Sequence, residues 1–95
     1  MLVHLVSFKY KAATTPAEQA DHRAKLRQLA DIDGILDFKV GEDIVRSPRS
    51  YDTGLIVVFR DRAALDGYAT NPRHLPVSQL GRDLSDSIVA VDFEA

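Results

Sequence analysis

The sequence contains no cysteine and no tryptophan among its 95 residues. Without cysteine there is no disulfide, no thiolate nucleophile and no Cys-ligated metal centre. Long apolar runs are missing too, and none approaches the ~20 residues that cross a bilayer. An excess of positive charge is also lacking. Twelve Lys and Arg face fourteen Asp and Glu, a formal net charge of -2, so neither nucleic acid nor an anionic membrane is an expected partner. The opening Met1-Leu2-Val3-His4 has no basic stretch leading into a cleavable apolar segment, so the expected location is cytoplasmic. No repeat, linker or low-complexity stretch divides the chain, and residues 1–95 read as a single domain.

The balance of 45% hydrophobic and 27% charged residues is that of a chain that folds around a core. A domain of this size buries roughly two-thirds of its unfolded surface. That suffices for a core but not for a spacious private pocket, and pairing with a second copy is a common way to gain more.

Residues 2–10 alternate as a strand, with Leu2, His4, Val6, Phe8 and Tyr10 on one face and Val3, Leu5, Ser7 and Lys9 on the other. Thr15-Pro16-Ala17-Glu18 is a helix start, with Thr15 as cap, Pro16 at the first turn and Glu18 closing a capping box. This helix is expected to run to about Asp31. His22, Leu26 and Leu29 share its inward stripe. Asp33-Gly34 ends it. A second strand is expected over Ile35 to Ile44, with Gly41 marking a bulge or bend. Residues 54–59, Gly-Leu-Ile-Val-Val-Phe, form the strongest strand. Asp61 caps a helix from Arg62 to about Thr70, which Asn71-Pro72 stops. A short third helix follows His74, with Pro76 near its start, through Leu84. Residues 88–93 close the chain as a fourth strand.

The order predicts an α+β, ferredoxin-like βαββαβ fold, with its helices on one face of a four-stranded antiparallel sheet. Val3, Leu5, Ile56, Val58, Val89 and Val91 would then point away from the helices. A wet aliphatic face of that size is more than monomers usually tolerate. A homodimer joined through the sheet faces is the expected remedy.

The chemistry-bearing residues are few. Histidine titrates nearest neutrality, so His4 in the first strand and His74 after the second helix are a candidate acid/base set. The rival reading makes His74 a turn pin and His4 a satisfied core residue. Tyr68 could donate to an oxygen on which charge develops, or serve only as a core aromatic. His22 is expected to line the same layer and make it more polar, or else to reach solvent at the helix edge. The three histidines lack an H-x-x-x-H spacing or a paired carboxylate set, so no metal and no cofactor are expected. Arg46, Arg49 and Arg73 read as solvated turn charges, although Arg73 could guide an anionic ligand.

Several elements together carry a resemblance. They are His4-Leu5-Val6-x-Phe8-Lys9, Val40-Gly41, the block Phe59-x5-Leu65-x2-Tyr68-x3-Pro72-x-His74, and Val91-Asp92-Phe93. Over nearly its whole length the chain resembles the stress-responsive dimeric α/β-barrel (Dabb) family, which includes plant polyketide cyclases. The resemblance implies a dimer whose two sheets close into a barrel, with a small-molecule pocket between helices and sheet. It also implies cofactor-free aldol or lyase chemistry, with His74 as base, His4 orienting it and Tyr68 stabilising an oxygen. The expected lining is His22, Val6, Phe8, Leu26, Leu55, Val57 and Leu65. The cyclases carry an aromatic hydroxyl inside the first helix where this chain has Leu26. With Ser78 and Ser85 in the third helical segment, a smaller or more polar ligand is expected. The alternatives are a non-catalytic metabolite-binding or stress-associated dimer, and a cofactor-free monooxygenase.

Overall fold

A computed structural model describes all residues, Met1–Ala95. Its elements are β1 (Leu2–Tyr10), α1 (Pro16–Arg27), β2 (Ile35–Glu42), β3 (Thr53–Phe59), α2 (Arg62–Thr70), α3 (His74–Leu84) and β4 (Ser85–Glu94). The four strands form one antiparallel sheet in the order β2-β3-β1-β4. The fold is the expected ferredoxin-like α+β arrangement, with α3 inserted before the last strand.

Alternation on β1 and β3 explains the core. Leu2, Val6, Phe8 and Tyr10 of β1 and Leu55, Val57 and Phe59 of β3 are buried on one face. Leu26, Leu29 and Ile32 from the α1 region and Ala64 and Tyr68 from α2 cover them. The capping box forms as the sequence reads it: Glu18 N–H donates to Thr15, and Thr15 N–H donates to the Glu18 carboxylate.

Three boundaries and one expected bulge differ from the sequence reading. The helix α1 ends at Arg27, not near Asp31. The chain continues in tight turns in which Leu29, Ala30 and Ile32 bond back three residues, so Leu29 and Ile32 still reach the core. The strand β2 stops at Glu42, and Gly41 is no bulge: it pairs in register with Gly54, and the irregularity lies at Ile35/Asp37. The strand β4 begins at Ser85, because Tyr10 on β1 offers a pairing partner that far. Ser85 is therefore a strand residue and not part of a helix.

Gly34 turns the chain into β2 at φ +91, where a Cβ would lie 2.5 Å from that of Ala64. Only glycine fits both the left-handed backbone and the close approach. On the sheet face away from the helices, Ile56, Val91 and Phe93 are 37%, 52% and 46% exposed.

Candidate active site

Two local periodicities bring the site together. Even-numbered residues of β1 face the helices, which sends His4 under α2 and α3. On α3, His74, Ser78 and Arg82 recur every four residues and so share one stripe. These side chains border a cavity of about 350 Å³, with Tyr68 of α2 beside them. Val6, Phe8, Leu26 and Leu55 form its apolar floor, and Val77 and Ile88 complete the wall.

The structure thus brings His4, His74 and Tyr68 to one cavity, together with Val6, Phe8, Leu26 and Leu55. The Tyr68 ring lies 4.2 Å from that of His74 and 6.2 Å from that of His4, centroid to centroid. Val57 and Leu65 do not border the cavity. Val57 is fully buried in the layer beneath, and Leu65 packs against the outside of the core.

Each imidazole has one nitrogen engaged. His4 Nδ1 hydrogen-bonds the Asp92 carboxylate, which lies directly opposite on β4. The carboxylate can only accept, so the proton sits on Nδ1 and Nε2 is left free. His74 Nδ1 faces the Ala69 carbonyl at 3.3 Å, and the same logic leaves its Nε2 free. Burial holds the His74 pKa below the ordinary value, and the neighbouring His4 and Arg82 push the same way against the Ala69 bond. Neutral imidazole is therefore the resting form of His74. Tyr68 is only 2% exposed, its hydroxyl has no protein partner, and burial raises its pKa to about 12. It is a proton donor near neutrality, not an anion.

His22 is placed elsewhere. It is fully buried behind Phe8, not on the cavity wall. A polar chain runs through the core to it. Arg23 donates to Thr53 at 3.1 Å, Thr53 and Tyr10 hydroxyls meet at 3.0 Å, and Tyr10 lies 2.7 Å from His22 Nδ1. His22 Nε2 has no partner and faces Gly81, where a Cβ would come within 3.2 Å. Burial, and then the Arg23 charge, lower the His22 pKa to about 4. Arg73 clamps the turn after α1 by donating to the Gln28 carbonyl at 2.6 Å and to Asp31 at 2.7 Å, so its charge does not face the cavity. Arg46 is held by Asp43 and Asp52.

Asp92 and Arg82 are site residues that reading the sequence did not single out, and Ser78 was read only as making the pocket more polar. One signal for Asp92 was present. It is an acid among apolar neighbours in Val91-Asp92-Phe93, on the alternation that shares the His4 face once the pairing is known. A larger surface cleft of about 630 Å³ lies between α1 and α3, bordered by Lys25, Gln28, Arg73 and Asp83. It has no histidine, the side chain whose ordinary pKa lies nearest neutrality.

A four-stranded antiparallel sheet with its helices packed on one face is a ferredoxin-like α+β domain. The chain belongs to the stress responsive A/B barrel domain family, which it matches over residues 2–95. Its fold is similar to that of a dimeric ferredoxin-like protein of unknown function from Jannaschia sp. CCS1, at 29% identity and a TM-score of 0.84, covering 99% of this chain and 98% of that one. It is also similar to a dimeric ferredoxin-like protein of unknown function from Thermobifida fusca YX, at 20% identity and a TM-score of 0.91, covering 99% and 90%. A hydroxynitrile lyase from Passiflora edulis shares the fold at 18% identity and a TM-score of 0.85, covering 97% and 90%. No curated protein matches the sequence. No helix is long and apolar enough to cross a membrane.

Proposed function

We propose that this protein is a homodimer that binds a small carbonyl compound in the cavity and moves a proton on it without a cofactor, in a step of the aldol or lyase kind. The observation that carries this reading is the His4–Asp92 pair on a cavity that is also bordered by Tyr68, whose buried hydroxyl has no protein partner. A polar group left unsatisfied in a core is costly unless it serves something, and a ligand oxygen would satisfy it.

The geometry supports exchanging the two histidine roles read from the sequence. His4 is the proton acceptor. Asp92 fixes its tautomer, leaves Nε2 toward the cavity, and stabilises the imidazolium that forms, as a carboxylate does behind a catalytic histidine. His74, neutral and with its proton on Nδ1, presents only an acceptor nitrogen to the cavity, so Tyr68 is the group that contacts the carbonyl oxygen. Tyr68 donates to it as negative charge develops there. The likeness to a hydroxynitrile lyase is consistent with this chemistry at the level of fold.

The dimer is the second part of the proposal. The outer sheet face carries Val3, Leu5, Ile56, Val58, Val89, Val91 and Phe93 with nothing over them, and the two bacterial proteins of this fold are described as dimeric. Stacking two such faces would bury both apolar surfaces.

Exchange of α-protons into heavy water tests the chemistry. Aryl methyl ketones incubated with the protein should lose their methyl proton signal at a rate proportional to protein concentration. His4→Gln should reduce that rate by two orders of magnitude or more, in the range expected for a general base, about 100-fold to 10,000-fold. Binding without any exchange would make the domain a metabolite binder and refute the catalytic reading.

A further inference from the structure

The cavity has one formally charged residue on its wall, Arg82. Its guanidinium donates at 2.8 Å to the Ser78 hydroxyl and at 2.9 Å to the Gln79 side-chain oxygen, both neutral. No carboxylate pairs with it. The other arginines near the site do have acidic partners: Arg62 has Asp66 and Arg73 has Asp31. The one carboxylate behind the cavity, Asp92, is engaged by His4. A guanidinium has five N–H donors, and only two are used here. The side chain folds back along α3 to the level of Ser78, four residues from His74. With 1.5 Å of rise per residue, the unused donors stand about 6 Å along the helix from His74.

We infer that Arg82, with Ser78 fixing its position, is the subsite for a carboxylate on the ligand, so that the substrate class is a small carbonyl acid whose carboxylate lies one helical turn from the reacting carbonyl. The inference rests on the cavity being the ligand site proposed above. The chemistry of the wall supports the choice of anion. A planar guanidinium recognises a carboxylate through paired N–H donors, and a hydroxyl beside it can donate a further bond. The apolar floor of Val6, Phe8, Leu26 and Leu55 suits the carbon frame between the two polar ends. Arg82 is exposed and touches no core residue through its charge, so it is not there to hold the fold.

A matched pair of probes tests this. The first is 4-acetylbenzoate, whose carboxylate and ketone stand across one benzene ring at a similar span. The second is 4-acetylbenzamide, the same frame without charge. Binding is read from the imidazole C–H signals of His4 and His74 in proton NMR, assigned with His4→Gln and His74→Gln. The acid should bind about tenfold more tightly than the amide, the ratio expected for one charge-assisted pair. Arg82→Gln should bring the two within about twofold of each other by weakening the acid alone. Arg82→Lys, which keeps the charge, should retain part of the preference. Equal affinities in the unmodified protein, or an unchanged ratio in a folded Arg82→Gln, would overturn the carboxylate subsite while leaving the cavity as a ligand site. If neither probe moves either histidine at millimolar concentration, the cavity reading fails and this inference fails with it.

Discussion

Asp92 accepts a hydrogen bond from His4 across the β1–β4 ladder, from the residue directly opposite it. A carboxylate in that position sets which imidazole nitrogen carries the proton and which is left as an acceptor. Asp92→Asn would accept or donate in either orientation and would no longer stabilise an imidazolium. α-Proton exchange should fall on the order of 100-fold. Asp92 is 39% exposed, so thermal unfolding of the variant should differ little from that of the unmodified protein.

Tyr68→Phe separates fold from function differently. The hydroxyl it removes is buried and has no protein partner. Its loss should leave stability within about 1 kcal/mol, or raise it, because an unsatisfied buried group disappears. Exchange should nonetheless slow by roughly tenfold to 100-fold, since the donor to the developing oxyanion is gone. Parallel denaturant melts and exchange rates check both halves. A large loss of stability would place the hydroxyl in the core structure instead.

His22 makes stability depend on pH. Its folded pKa is depressed to about 4 from an ordinary 6.5, so between those values the unfolded chain holds the extra proton. Stability from this group is therefore fully present above pH 6.5 and is lost as pH falls toward 4. The loss is on the order of 3 kcal/mol. Urea melts at pH 7 and pH 4.5 should show a steeper decline in the unmodified protein than in His22→Gln. Equal declines would mean that His22 is not buried as a neutral ring.

Gly34→Ala should be among the more damaging small substitutions. It places a Cβ 2.5 Å from Ala64 at a backbone angle that L-residues avoid. Strain and crowding together predict a loss of roughly 3 kcal/mol, measured by chemical denaturation. Gly41→Ala is the control, because nothing lies within 4 Å of its Cβ.

Val91→Lys tests the dimer. Val91 is half exposed at the middle of the apolar sheet face, on the strand beside Leu5. A charge there would have to be buried unpaired in a sheet-to-sheet dimer. Light scattering should report a dimer for the unmodified protein. For the variant it should report a monomer, or an association weakened at least about tenfold. A monomeric unmodified protein at micromolar concentration would refute the dimer.

Much of the fold was legible because it depends on near neighbours. Alternation on β1 assigned His4, Val6 and Phe8 to one face without any tertiary information. Thr15-Pro16-x-Glu18 announced the start of α1 because a capping box is made within four residues. The end of α1 was not legible. Leu29 and Ile32 keep the inward spacing while the chain winds more tightly, and a hydrophobic pattern does not distinguish the two windings. Gly41 looked like a break, but a glycine can sit in a regular ladder, and this one does.

The site divides along the same line. The sequence by itself determined the inventory: three histidines, no thiol and an apolar face too large to leave wet. Which of these meet was decided only by the tertiary structure. Strand register, a relation between residues 88 positions apart in the chain, set Asp92 against His4. Burial of α1 against the sheet took His22 into the core network, although its helical spacing suited the cavity equally well. Distance along the chain says nothing about such contacts, because they form when the sheet and helices close over one core.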